Sequence, residues 1–229
     1  MSHASAPASF AQRLADVRTR IARAAERSGR RPEAVTLIGV SKTWPASAVL
    51  EGFAAGLRDF GENRVQEGVA KVHDVAEVLK GDGPTWHLIG HLQTNKIRAA
   101  LGAFAILHAV DSERLLRAIS AAATAVVPLM IEVNVAAEPT KYGIVPADLP
   151  ALLDCAAGLP GVDVFGLMTV APQVTEPEGA RTVFRELRLL GEKHKLSALS
   201  MGMTNDYEVA IEEGATHVRV GRGLFGERP

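Results

Sequence analysis

Residues 35–56 read VTLIGVSKTWPASAVLEGFAAG, and this stretch decides the fold. Val35-Thr36-Leu37-Ile38 opens a short β-branched apolar run, the pattern of a strand buried on both faces. Ser41 to Pro45 breaks the run. From Ala46 the apolar residues take helical spacing, and Gly56 falls where a helix C-cap glycine belongs. The stretch is therefore one strand–loop–helix unit. It also leaves a lysine, Lys42, at the mouth of a buried strand, where it must reach water or meet a partner.

The unit repeats along the chain. Strands are expected at 35–41, 57–62, 85–90, 105–110, 128–134, 162–169, 196–201 and 217–221, with helical stretches between them. Asp111/Ser112 and Thr204/Asn205 are the expected N-caps of two of these helices. Gly158 and Gly214, like Gly56, sit at expected C-caps. Eight strands alternating with helices predict an α/β fold, a parallel (β/α)8 TIM barrel. A doubly wound sheet is the alternative, but eight near-regular repeats without a long insertion favour closure. Phe10, Leu14, Val17 and Ile21 form one apolar stripe and predict an extra helix over 8–28, ahead of the first strand. Arg30-Arg31 reads as a solvated connector. Residues 1–229 are taken as a single domain, with 1–7 as an unstructured tail.

Composition narrows the function classes. The chain has 229 residues, enough for one sizeable core, with 47% hydrophobic and 22% charged residues and a formal net charge of −1. That balance gives no nucleic-acid footprint, and no apolar run is long enough to span a bilayer. The single cysteine, Cys155, excludes an intrachain disulfide and a cysteine-cluster metal site. It reads as a buried small hydrophobe on a helix. The Ser-, Ala- and Arg-rich N-terminus raises the question of a transit peptide, but Asp16 and Glu26 interrupt it.

In such a barrel the chemistry sits at the C-terminal ends of the strands. The last two loops, SMGMTND and GRGLFG, are small, glycine-containing and hydroxyl-bearing, and they follow strands 7 and 8, where this fold recurrently binds phosphate. Tight turns that need glycine for geometry explain them equally well. A lysine among apolar walls and near a cation has a lowered pKa, and a neutral amine forms Schiff bases with aldehydes. A phosphate loop, such a lysine and Arg219 on strand 8 together suggest pyridoxal 5′-phosphate (PLP); a structural or solvated Lys42 stays open. His87 and His91 stand four apart, but on strand and turn, with no carboxylate in HLIGH, so no metal site is expected. His108 and His217 read as hydrogen-bonded core groups. Met168, Met201 and Met203 read as packing residues, Met203 lying within the candidate cofactor turn.

At these residues the chain resembles the PLP homeostasis protein family. The resemblance runs through GVSKTWP, FGENRVQE, WHLIGHLQTNK, HAVDS, VNVAAEPTKYG, GLMTV and LSMGMTNDYEVAIEEGATHVRVGRGLFG, nearly the whole length. It implies an alanine-racemase-like barrel that binds PLP, with Lys42 as the aldimine lysine. It implies that Ser200, Gly202 and Thr204 surround the phosphate and that the Gly221-Arg222 turn closes it. Arg219 would face the pyridine nitrogen and Asn63 would lie near the ring. Trp44 stands where the family more often has lysine, and Arg64 where tyrosine is common. The implied role is intracellular PLP carriage by a cytoplasmic monomer, with PLP-dependent apo-enzymes as recipients. The catalytic alternative is a PLP-dependent amino-acid racemase. Two points weigh against it: racemases of this fold take their second acid/base group from a C-terminal β domain, which is not expected here, and arginine at the ring nitrogen makes a weak electron sink.

Overall fold

A computed structural model describes residues 8–227; the expected tail, 1–7, lies outside the described residues. Ser9 opens the first helix with a capping box: its hydroxyl accepts from the Gln12 backbone N–H, and the Gln12 side chain accepts from the Ser9 N–H. Helix α1 spans Phe10–Arg27 and buries the expected stripe of Phe10, Leu14, Val17 and Ile21.

Eight strands follow. They are β1 (Thr36–Val40), β2 (Asp59–Glu62), β3 (Thr85–Leu88), β4 (Ile106–Val110), β5 (Val127–Glu132), β6 (Val162–Met168), β7 (Ala198–Met203) and β8 (His217–Val220). Each pairs in parallel with its neighbour, and β1 pairs with β8, so the sheet closes into a barrel in chain order. Helices α2 (Ala46–Ala54), α3 (Val65–Leu79), α4 (Ile97–Leu101), α5 (Glu113–Ala122), α6 (Leu149–Ala157), α7 (Arg181–His194) and α8 (Tyr207–Glu212) fall between successive strands. A last short helix, α9 (Arg222–Phe225), follows β8.

Most of the apolar core lies between the strands and the helices. Gly39 shows why glycine stands in β1: a Cβ there would lie 2.5 Å from Leu57, on the helix side. Alternation then turns Ile38 and Val40 into the lumen. At the same end Phe225 packs edge-on against Phe10 and stacks with Trp44, so α1, α9 and the loop after β1 meet on one ring.

Several expectations need correction. Strand β7 runs two residues further than its apolar pattern, through Gly202 and Met203. The helix after it is capped at Asp206, not at Thr204 or Asn205. The C-terminal glycines stand as expected: Gly158 is the C-cap of α6, with φ −88°, and Gly56 and Gly214 follow α2 and α8 with left-handed φ. Arg30 is no solvated connector; its guanidinium donates to the Ile211 and Ala215 carbonyls. Cys155 is half-buried. Among the described residues no helix is long and apolar enough to cross a membrane.

Candidate functional site

Lys42 is held by what flanks it. The Ser41 hydroxyl donates to Glu62 Oε1 at 2.6 Å, and the Thr43 N–H donates to Glu67 Oε1 at 2.5 Å. Lys71, buried on α3, ties both ends together. Its Nζ donates to the Ser41 carbonyl (2.8 Å), Glu62 Oε1 (2.6 Å) and Glu67 Oε1 (3.1 Å). Burial pushes the Glu62 carboxyl upward, and the bonds from Lys71 and Ser41 oppose that shift. A buried ion pair is costly unless hydrogen bonds meet its charges; here three acceptors meet the ammonium. Thr43, one of the two anchored residues, is held at φ 70°, a region that β-branched residues rarely occupy. Lys42 follows β1 directly after Ser41, whose hydroxyl is engaged by this cluster, and is itself half-buried.

Beneath the mouth the lumen is polar. Asp59 Oδ1 lies 3.0 Å from His87 Nε2, His87 Nδ1 lies 2.9 Å from His108 Nε2, and His108 Nδ1 lies 2.9 Å from Ser200 Oγ. Arg219 donates to Ser200 Oγ at 2.6 Å and to the Thr169 carbonyl at 2.9 Å. Since β4 and β7 are not neighbours, the His108–Ser200 bond crosses the lumen. His217 packs edge-on to His87 and His108 and bonds Thr216. Burial lowers the Arg219 pKa to about 10, against the pull of Glu132 and Asp206, which leaves a guanidinium cation at neutral pH.

At the rim, Gly202 has φ 89°, and a Cβ there would lie 2.5 Å from Ala210 Cβ and 2.8 Å from Tyr207 Cα, so α8 sits directly on it. Asp206 Oδ1 accepts from the Met203 N–H at 2.6 Å, and Thr204 Oγ1 accepts from the Gly221 N–H at 3.3 Å. The turns after β7 and β8 are thus joined, with Met203 projecting outward. Across the mouth, burial and the Asp111 carboxylate push Glu132 up to about 7. His91 pairs with Asp111 at 3.1 Å and stacks on Tyr142.

The structure therefore brings Gly202, Thr204 and Gly221 together, with Arg222 next in the chain, and it sets Arg219 below them. It separates Ser200 from that turn: its hydroxyl is fully buried and engaged by Arg219 and His108. Asn63 follows β2, where its backbone packs so closely on Gly90 that a Cβ there would lie 2.3 Å from the Asn63 carbonyl oxygen. His87 and His91 do find carboxylates, but from elsewhere in the chain: Asp59 on β2 and Asp111 just after β4. Sequence reasoning misses Lys71, Glu62 and Glu67. Glu67 and Lys71 stand at i, i+4 on a helical pattern, a signal that marks a surface ion pair as readily as this buried one.

The lumen histidines give a pH prediction. Burial, with His87 and Arg219 nearby, lowers His217 to about 4. Below the ordinary imidazole value of 6.5 the unfolded chain binds a proton that the folded chain refuses, so this group withdraws stability as pH falls from 6.5 to 4. Glu132, raised to about 7, contributes with the opposite sign. The clean measurement is therefore a difference. Between pH 7 and pH 5 the wild type should lose about 2 kcal/mol more than His217→Phe in denaturant unfolding. Parallel pH profiles for the two proteins would refute a half-buried His217 that stays neutral.

Comparison with known proteins places this arrangement. Residues 13–229 match the alanine racemase N-terminal domain family. The pyridoxal phosphate homeostasis protein of Aquifex aeolicus is 44% identical over 226 residues, covering 95% of this chain and 97% of that one. The protein of the same name from Escherichia coli K12 is 41% identical over 227 residues, covering 96% and 97%. PipY of Synechococcus elongatus PCC7942, solved with PLP bound, superposes with a TM-score of 0.81 at 39% identity, covering 95% of this chain and all of that one. Alanine racemase from Corynebacterium glutamicum shares the fold, with a TM-score of 0.66 at 16% identity over 94% of this chain and 62% of that one.

Proposed function

The chain belongs to the alanine racemase N-terminal domain family and, within it, to the pyridoxal phosphate homeostasis proteins, and from that premise we propose that it binds PLP through Lys42 and serves PLP homeostasis as a carrier. The observation that carries this reading is the placing of three features around one mouth. Lys42 follows β1, Arg219 lies on the adjacent β8 in register with Ile38, and the Gly202 turn is joined to Gly221 through Thr204.

The residues fit the group. PLP supplies an aldehyde, a ring nitrogen and a phosphate. Lys42 offers the amine that condenses with an aldehyde, and the Ser41–Glu62–Lys71–Glu67–Thr43 cluster fixes the backbone on either side of it. Arg219 keeps three N–H groups beyond those given to Ser200 and Thr169, one of which serves the ring nitrogen. Thr204 accepts from Gly221 and so retains its own hydroxyl proton for a phosphate oxygen, beside the backbone of Gly202, Met203, Gly221 and Arg222. Ser200 works from behind, on Arg219. Asn63 Oδ1 is buried without a hydrogen-bond partner and faces the ring edge in this reading.

A carrier without substantial turnover is favoured over a racemase by the likeness to the homeostasis proteins, 44% identical in one case, against 16% for the alanine racemase. Arg219, a buried cation that holds its proton, would leave the ring nitrogen a weak electron sink, but racemases of this fold use the same arginine. PLP-dependent apo-enzymes are the proposed recipients, and residues 1–229 the proposed single PLP-binding domain, acting as a cytoplasmic monomer. The test is α-proton exchange of free amino acids in deuterated water with the PLP-loaded protein. Exchange no faster than free PLP gives is expected. Exchange on the order of 1–1000 per second would establish an enzyme instead.

A further inference from the structure

The lumen chain from Asp59 to Arg219 has a direction that its two ends dictate. A carboxylate only accepts and a guanidinium only donates. Asp59 therefore requires a proton on His87 Nε2, 3.0 Å away. With one proton on the His87 ring, Nδ1 is the acceptor, and the proton between the two rings then sits on His108 Nε2, 2.9 Å away. That leaves His108 Nδ1 as an acceptor, and the Ser200 hydroxyl must donate to it. The remaining Ser200 lone pairs accept from Arg219 Nη1. Every donor in the chain points from Arg219 toward Asp59. The reverse order, with protons on both Nδ1 atoms, would set a bare His87 Nε2 lone pair against the Asp59 carboxylate.

A second observation agrees. His108 is wholly buried, and burial with His87, His217 and Arg219 around it holds its pKa well below the ordinary value, so it stays neutral. Bonds aligned in one sense polarise each other. A Ser200 oxygen that donates its own hydrogen to an imidazole is a better acceptor for the guanidinium than one that does not. Asp59 sits at the N-terminal end of β2, at the far end of the barrel from the mouth, and its side chain is 27% exposed.

We propose that Asp59, acting through singly protonated Nε2–H tautomers of His87 and His108, is a positioning residue that fixes the Ser200 hydroxyl and thereby holds Arg219 for the cofactor ring nitrogen. This rests on the reading that Arg219 meets PLP. The polar interior of the barrel then has a role, because the carboxylate at one end of the lumen sets the donor geometry at the other.

The test has two arms. In the first, the full-length wild type is labelled with 15N-histidine and its ring nitrogens are read by long-range proton–nitrogen correlation, with and without PLP. Protonated Nε2 and unprotonated Nδ1 are expected for both His87 and His108. An Nδ1–H tautomer or an imidazolium at either would overturn the proposal, and this arm needs neither a variant nor bound PLP. In the second arm, Asp59→Ala should leave His108 without a single tautomer and raise the PLP dissociation constant roughly threefold to tenfold. Asp59→Asn, whose Oδ1 can still accept, should restore both. An Asp59→Ala protein with the wild-type histidine spectrum and wild-type affinity refutes the positioning role. A wild type that binds no PLP fails the functional reading alone, because the tautomers are read independently.

Discussion

Lys42→Ala should abolish the visible absorbance band that PLP gives the wild type, and borohydride should fix no pyridoxyl group on the variant. In the wild type the pyridoxyl mass should map to the peptide carrying Ser41 to Pro45. Its appearance on Lys96 or Lys141 would sink the assignment. The effect is all-or-none because only the side chain at 42 supplies the amine from a position braced on both sides. The brace itself should survive, since it uses the Ser41 side chain and carbonyl and the Thr43 N–H, none of which the substitution removes. The barrel should keep its circular dichroism and most of its unfolding midpoint. Some affinity for PLP should also remain, because the phosphate turn and Arg219 are untouched.

The second large effect concerns the phosphate. Pyridoxal, which lacks it, should bind far more weakly than PLP. Each charge-assisted hydrogen bond contributes about 1.5–3 kcal/mol, so losing three amounts to roughly three orders of magnitude or more in affinity. Equilibrium titration of the wild type with both ligands measures this directly, and equal affinities would refute a phosphate site between the turns after β7 and β8. Gly202→Val should produce a related loss by another route. A side chain at φ 89°, within 3 Å of Ala210 and Tyr207, has to lift α8 and with it the turn.

The barrel was legible because its strands carry short β-branched runs at even spacing, and periodicity survives small errors at element ends. The end of β7 was not legible. Gly202 and Met203 look like turn residues, yet the ladder to β8 continues through Met203 opposite Arg219. Lys42 could be singled out from its place after one strand. Its supports could not, because Glu62 and Lys71 come from different elements and neither residue type advertises burial. Ser200 shows what a local reading leaves out. A hydroxyl beside a glycine turn reads as a phosphate ligand, and nothing nearby in the sequence announces its contact with a histidine from β4. A pairing across the lumen leaves no mark on local sequence, since strands three places apart in the barrel share no spacing rule.

The closure of β1 on β8, sealed by Phe225 between Phe10 and Trp44, has a consequence for synthesis on the ribosome. One edge of the first strand waits for nearly the last strand to be made. A nascent chain still missing β8 and α9 has an unpaired β1 edge and lacks both Arg219 and the aromatic that steadies the loop carrying Lys42. Such contacts between distant parts of the chain also slow folding. Capture of the vitamin should therefore begin abruptly, only once the residues around 217–225 have cleared the exit tunnel, and shorter nascent chains should not withdraw PLP from the pool at all.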